Sequence, residues 1–294
     1  MRGMTVARSH ESNGGHMTQS LGKSSALDTL RVWQCRRLDG YRNGTVRFPA
    51  DLGPKNVTAV LYFFQDEKSI ETAWPFSECA ILETWHHCGF LKTVLVVDRT
   101  SSPVLEFAQK YPPWVSIQEE PELMPGDIGT LSRECIQKLH ARFPTEYVLT
   151  IQDDGFPLKN GLDKFLGNVD FYGAPWPGHT SWTDLYPYPR YAVGNGGFSL
   201  RSKRICEAAS MAWERGWKHL WKRLKWPEDT FYCKVMPFFS RPWRKAFRYP
   251  SLQEAADFSL ECIVPRIGKP PVPPLGFHSP QGFLNYITWF GNPS

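Results

Sequence analysis

Between positions 57 and 154 short apolar runs alternate with stretches of helical spacing. Val57-Thr-Ala-Val-Leu-Tyr-Phe-Phe64 is a near-continuous apolar run of strand length. Residues 69–89 follow with helical periodicity and Ser69 as a candidate N-cap. Thr93-Val-Leu-Val-Val-Asp98 is the next strand, residues 102–111 an amphipathic helix, and Trp114-Val-Ser-Ile117 a short strand. A helix over 127–142 then leads into the strand Tyr147-Val-Leu-Thr-Ile151. Strands with little polar alternation are buried on both faces, and helices between them act as crossovers. The pattern predicts an α/β fold with a Rossmann-like, mostly parallel sheet flanked by helices.

The character changes after Gly155. Pro, Trp, Tyr and Gly crowd residues 171–190, which predicts a loop-rich, aromatic-walled region. Gly197-Phe-Ser-Leu200 is strand-like, and a helix is expected from Ser202 onward. Pro227-Glu228-Asp229 opens another helix, from Thr230 to Met236. Residues 263–294 are Pro/Gly-rich and are expected to wrap over the core. Residues 1–25 carry few large apolar side chains and are expected to form a disordered tail, with order beginning near Leu30. The resulting layout is a tail (1–25) and a single domain (26–294). That domain has a nucleotide-binding half, about 55–155, and an acceptor or catalytic half, about 156–294. No internal repeat is evident.

Composition narrows the class. A chain of 294 residues, 41% hydrophobic and 21% charged, can bury a substantial core. Twelve Trp suggest a broad cleft or interface as well. A net charge of +5 permits an anionic substrate but is too weak to argue for nucleic acid as a partner. The seven Cys have no zinc-site spacing, which favours buried thiols in a reducing compartment. The N-terminus has no apolar signal core, and no run approaches the ~18 apolar residues needed to span a bilayer. A cytoplasmic location is the expectation, and the sequons at Asn43 and Asn56 are then chance matches.

Four features carry candidate chemistry. Asp153 and Asp154 end a buried strand, where ligands of open α/β sheets bind, and paired carboxylates suit Mg²⁺ or Mn²⁺. Asp-Asp-Gly is also good turn chemistry, so both uses stay open. Gly194-Asn195-Gly196-Gly197-Phe198 permits positive φ and close backbone approach to a ligand, or is a plain turn. Glu228 and Asp229 stand in a first helical turn, where the helix dipole favours acids, and one of them in a cleft could serve as a general base. His278, in Pro274-Leu-Gly-Phe-His-Ser279, is a good Mn²⁺ ligand beside a carboxylate.

In order and local motif the chain resembles glycosyltransferases of the GT-A fold. These carry a metal-binding Asp-x-Asp after a Rossmann-like half, a glycine loop, an acidic motif ending in Glu-Asp, and a C-terminal His. The Val-Gly-Asn-Gly-Gly-Phe-Ser-Leu-Arg, Pro-Glu-Asp-Thr-Phe and Leu-Gly-Phe-His runs look like those of a family of poorly characterised glycosyltransferases. The resemblance covers about residues 55–285. It implies Asp154 and His278 as metal ligands, and Asp153 as a ribose or metal-water contact. It also implies Asp98 near the nucleobase or ribose, Gly196 and Gly197 at the donor, Asp229 as catalytic base and Glu228 on acceptor hydroxyls. The cofactor would be Mn²⁺ or Mg²⁺, the donor a nucleoside-diphosphate sugar, and the acceptor a glycan, polysaccharide or glycolipid. Gln152 departs from the motif: where the family has an acid, this chain has a neutral amide.

Two signals rank lower. His86 and His87 are adjacent on a helix and point to different faces, so they chelate poorly and are expected at exposed polar positions. From Met211 to Trp226, the residues Trp213, Trp217, Leu220, Trp221 and Leu224 form one stripe flanked by basic residues. This fits a core-facing helix, or a peripheral contact with an anionic membrane that presents a lipid-linked or polyanionic acceptor. Residues 241–248 add basic-aromatic character.

Two rival functions share parts of this pattern. A nucleotidyltransferase making sugar nucleotides needs a Gly-rich, Arg/Lys-bearing loop after the first strand, and Phe63-Phe64-Gln65-Asp66-Glu67 is not one. A noncatalytic carbohydrate-binding relative would not need Asp154, Asp229 and His278 together.

Overall fold

A computed structural model describes residues 14–49, 53–176, 193–219, 227–236, 246–261 and 268–293. Helix α1, Gly14–Arg42, precedes the sheet. It starts inside the stretch expected to be a tail, and Ala26 and Leu30 are buried on it. Then come β1 (Val57–Phe63), α2 (Ile70–Cys88), β2 (Lys92–Val97), α3 (Ser102–Lys110) and β3 (Val115–Glu119). Helices α4 (Ile128–Gln137) and α5 (Leu139–Arg142) lead to β4 (Tyr147–Ile151). The second half contains β5 (Gly155–Pro157), β6 (Phe171–Tyr172), β7 (Ser199–Ser202) and α6 (Lys203–Ala212). After the turn Glu228–Thr230 come α7 (Leu252–Phe258), β8 (Ser259–Leu260), β9 (Gly276–His278) and α8 (Ser279–Phe290).

The main sheet has six strands in the order β3-β2-β1-β4-β7-β6. β1 pairs in parallel with β2 and β4, and β2 with β3, whereas β7 runs antiparallel to β4 and to β6. Alternate residues of one strand feed opposite cores, as a pleat requires. Ala59, Leu61 and Phe63 join one apolar cluster with Trp85 and Leu149, while Val60 joins the other with Val148 and Ile205. This explains why β1 reads as unbroken apolar sequence. Ser69 occupies the N-cap position of α2 without a side-chain capping bond, and Asp66 accepts from its N–H and Oγ–H.

A second sheet, in the order β5-β9-β8, lies after β4. The expectation that residues 263–294 merely wrap the core is corrected here. Residues 276–278 pair on both sides as β9, and residues 279–290 form α8. Pro280 fits the first turn of that helix, and Phe283 and Tyr286, three residues apart, bury one face. Trp33 of α1 packs against Phe283 and Phe156, which docks α1 over this second sheet.

Candidate active site

β4 runs directly into a tight turn. Gln152 N–H donates to the Gly155 carbonyl at 2.9 Å and Gly155 N–H to the Gln152 carbonyl at 3.1 Å, so Asp153 and Asp154 hold the two corner positions. Parallel pairing places the carboxyl ends of β1, β2 and β4 on the same edge, where such a turn meets a ligand.

His278 reaches that turn through β9, whose register sets Gly155 opposite His278. Its Nε2 lies 3.3 Å from Gln152 Oε1 and 3.8 Å from Asp154 Oδ1. Ser279 N–H donates to the Asp154 carbonyl at 2.8 Å, with Ser279 in the left-handed region at φ 71°. On the far flank, Glu261 Oε1 lies 3.4 Å from His278 Nδ1.

Because β7 is antiparallel to β4, the loop that enters β7 falls on the same edge. Thr150 Oγ1 donates to the Gly196 carbonyl at 2.8 Å and fixes the loop there. The positive φ in this loop belongs to Asn195, at 79°, and not to a glycine. Gly196 and Gly197 serve close packing instead. A Cβ at Gly197 would overlap Gln152 Oε1 and His278 Nε2, and one at Gly196 would overlap the Glu228 carboxylate. Trp176 covers Gly194 in the same way. The loop is thus pressed between Gln152 and His278 on one side and Glu228 on the other.

Asp229 is held by that loop. Its Oδ2 accepts from Asn195 N–H at 2.9 Å and its Oδ1 from Thr230 N–H at 2.6 Å. Glu228 turns inward: Oε1 lies 3.4 Å from Nη2 of the fully buried Arg201, and Oε2 accepts from Ser132 Oγ at 3.3 Å. The same Arg201 donates to Ser199 Oγ through Nε at 3.0 Å. The expected acceptor contact of Glu228 is thus turned toward the interior in this structure.

The electrostatics follow from burial. Desolvation, reinforced by the Glu228 charge, pushes the Asp229 carboxyl up to about 7, against the pull of its two N–H donors. Asp154 is also raised, by desolvation and by Asp153, with His278 opposing. For His278 burial disfavours the charged form, but the Glu261 hydrogen bond and the Asp154 charge outweigh it and the imidazole is raised. Asp153 has a partner absent from the sequence reading: Arg31 Nη2 of α1 donates to its Oδ2 at 2.6 Å. Asp98 follows β2, across β1 from β4, with its Oδ2 4.0 Å from Arg99 Nε.

The structure brings Asp153, Asp154, Gly196, Gly197, Asp229 and His278 together, and it adds Arg31, Gln34, Arg201 and Glu261. Among the described residues no three His, Cys, Asp or Glu side chains form a group that could hold a metal ion; Asp154 Oδ1 and His278 Nε2 approach to 3.8 Å. His87 is corrected: it is buried, with Nε2 3.4 Å from Glu83 Oε2 and Nδ1 3.2 Å from Asn160 Oδ1. Trp213 is buried in the core, and Gly216 at φ 118° interrupts the helical path that a continuous stripe requires. Residues 220–226, 241–245 and 177–192 of the expected aromatic and basic regions lie outside the described residues. No described helix is long and apolar enough to cross a membrane.

A family model described as "Protein of unknown function (DUF5672)" matches residues 130–278. None of the curated proteins matches the sequence. Among solved structures, mouse xyloside xylosyltransferase 1 (apo form) is similar over 77% of this chain and 98% of that one, at 12% identity and a TM-score of 0.50. A glycosyltransferase involved in glycosylation of the major capsid of PBCV-1 covers 76% of this chain and 92% of its own, at 16% identity and a TM-score of 0.40. A Pyrobaculum calidifontis mannosyltransferase, solved with GDP-Man and Mn²⁺, covers 63% of this chain and 56% of its own, at 14% identity and a TM-score of 0.34. The fold is GT-A-like.

Proposed function

The chain belongs to the DUF5672 family, whose description leaves the activity open, and we propose that it is a metal-dependent glycosyltransferase. It moves a sugar from a nucleoside-diphosphate donor to a hydroxyl of a glycan, polysaccharide or glycolipid acceptor. One observation carries this reading. Asp154, His278 and Asp229, far apart in sequence, are held around one glycine loop at the carboxyl edge of a GT-A-like sheet.

Asp154 and His278 offer one carboxylate and one imidazole. Two protein donors suit Mg²⁺ or Mn²⁺ when phosphate oxygens of a substrate complete the shell. Bound there, the cation supplies neutralisation of the leaving diphosphate. The remaining chemistry falls to the chain. Asp229, fixed by two backbone N–H groups, takes the acceptor proton as the hydroxyl oxygen attacks the anomeric carbon. The bond to the diphosphate oxygen breaks, and the electron pair leaves with the diphosphate. A separate base with direct displacement inverts the anomeric centre. A carboxyl near 7 is matched to that task at neutral pH. Gln152 leaves the site less negative than a fully acidic motif, with its amide oxygen beside His278. Asp98 stands at the next but one strand end, where the nucleobase or ribose of the donor would lie.

A panel of nucleotide sugars with and without Mn²⁺, read by donor hydrolysis and thermal stabilisation, tests the proposal. A donor that stabilises the protein only with Mn²⁺ supports it. Stabilisation by none, or equal stabilisation without metal, rejects the metal-dependent transferase.

A further inference from the structure

Glu261 was not among the residues that the sequence singles out. The register of the second sheet nevertheless places it. β8 runs parallel to β9 with Ser259 opposite Gly276 and Leu260 opposite Phe277, so the next step along both strands sets Glu261 beside His278. On the other side of His278 stands Gly155 of β5, where a Cβ would crowd the imidazole Cδ2. The ring is therefore boxed: Gly155 leaves room for it on one flank, and Glu261 meets it on the other.

The two ring nitrogens face different partners. Nδ1 faces Glu261 Oε1 at 3.4 Å. Nε2 faces the turn, 3.3 Å from Gln152 Oε1 and 3.8 Å from Asp154 Oδ1. Glu261 Oε2 is buried without a hydrogen-bond partner among the described residues, and Glu261 Oε1 meets the imidazole. Asp154, His278 and Glu261 do not themselves form a three-ligand cluster. Glu261 acts through the histidine.

We propose that Glu261 is a positioning residue that keeps the His278 proton on Nδ1 and so presents the Nε2 lone pair to a cation held with Asp154. A ring nitrogen donates a lone pair only when it carries no proton, and an imidazole held by a carboxylate at its other nitrogen has its tautomer and orientation fixed. Without Glu261, the acceptors around Nε2 draw the proton to that nitrogen and block it. The role rests on the metal-site reading given above, but its direct consequence, the tautomer, is a property of the protein without metal.

The experiment is ¹⁵N nuclear magnetic resonance of the His278 ring in metal-free protein, at a pH alkaline enough to make the ring neutral. The wild type is expected in the Nδ1–H form, Glu261→Ala shifted toward Nε2–H, and Glu261→Gln intermediate, since an amide oxygen still accepts from Nδ1. Near-ultraviolet circular dichroism and melting temperature confirm that the variants fold. A wild type in the Nε2–H form, or a Glu261→Ala spectrum identical to it, overturns the proposal. Mn²⁺ titration followed by electron paramagnetic resonance supplies the second readout. Affinity is expected to fall about 10- to 100-fold in Glu261→Ala, as for other partners of metal-bound histidines. If the tautomer depends on Glu261 but the wild type fails to bind Mn²⁺, the metal-site reading fails and the positioning role of Glu261 stands.

Discussion

Arg31 of α1 reaches across the molecule to Asp153, with Nη2 2.6 Å from Oδ2. Gln34, one turn further along α1, donates to the Asp153 carbonyl at 2.5 Å, and Arg31 Nη1 donates to Gln34 Oε1 at 3.0 Å. The Arg31 guanidinium also lies 3.8 Å over the Phe76 ring. One of the two adjacent carboxylates at the sheet edge is therefore neutralised by the N-terminal helix, and Asp154 is left as the carboxylate facing His278.

Replacing Arg31 by Ala removes that neutralising charge. Both partners are partly exposed, at 26% and 38% of their side-chain surface, so the loss of stability is expected to be roughly 0–1 kcal/mol. The freed negative charge should tighten Mn²⁺ binding about threefold, the size of one screened charge near the site. Melting temperature and Mn²⁺ titration check the pair of effects. Weaker Mn²⁺ binding would mean that Arg31 chiefly fixes the turn.

Asp154→Ala and His278→Ala each remove one of two protein donors. Mn²⁺-dependent stabilisation by the true nucleotide is expected to disappear in Asp154→Ala and to weaken in His278→Ala, with little change in the melting temperature of the metal-free protein. Calorimetry with UDP or GDP plus Mn²⁺ measures this. Undiminished affinity in Asp154→Ala would remove that residue from the metal assignment.

The glycine loop makes a steric prediction. Gly197→Ala drives a methyl group into Gln152 and His278, and overpacking of this kind costs about 1–3 kcal/mol while displacing the imidazole. Gly167→Ala is the control. Unlike Gly197 it sits at positive φ, 82°, and nothing lies within 4 Å of a Cβ built there, so it carries backbone strain alone. Loss of metal-dependent donor binding is expected for Gly197→Ala and not for Gly167→Ala.

Much of the first half was legible because β1, β2 and β4 are buried on both faces and the crossover helices have a period. Three of the four motifs were legible for a related reason, since Asp153-Asp154, the glycine loop and His278 end or enter strands, whereas Glu228-Asp229 opens a helical turn. The elements that complete the site were not. Arg31 and Gln34 lie in a helix whose apolar positions, Leu30, Trp33 and Leu38, are spaced for packing, yet the polar tail ahead of it hides its start. Glu261 follows a two-residue strand, too short for any periodicity, and owes its place to pairing with residues 276–278. The packing around the glycines was not legible either. Residue type shows that a side chain is missing, but only packing shows that Glu228, Gln152 and His278 fill the space. Glu228 reads as a cleft residue until Arg201, buried 27 positions earlier, is seen to hold it.

Asp229 gives the sharpest test, because catalysis and stability predict opposite signs for one substitution. In the folded protein its carboxyl is raised from 3.8 to about 7, chiefly by burial and then by Glu228. A raised folded value means that the native state binds the proton more tightly than the unfolded chain. The associated stabilisation is fully present below the unfolded value and is lost as pH rises through about 7. Asp229→Asn carries no such proton, so its melting temperature should gain on the wild type as pH rises from 5 to about 8. The corresponding gain in unfolding free energy is roughly 1–3 kcal/mol after allowance for the partly exposed side chain. Activity should move the other way. Wild-type kcat/KM is expected to rise with pH through about 7 as the base ionises, and Asp229→Asn to lose about 10²–10⁴-fold of transfer while keeping donor affinity. A purely structural Asp229 predicts stabilisation at alkaline pH with turnover intact. Measuring melting temperature and transfer on one preparation across this pH range separates the two, and near wild-type transfer by Asp229→Asn removes Asp229 from the catalytic role.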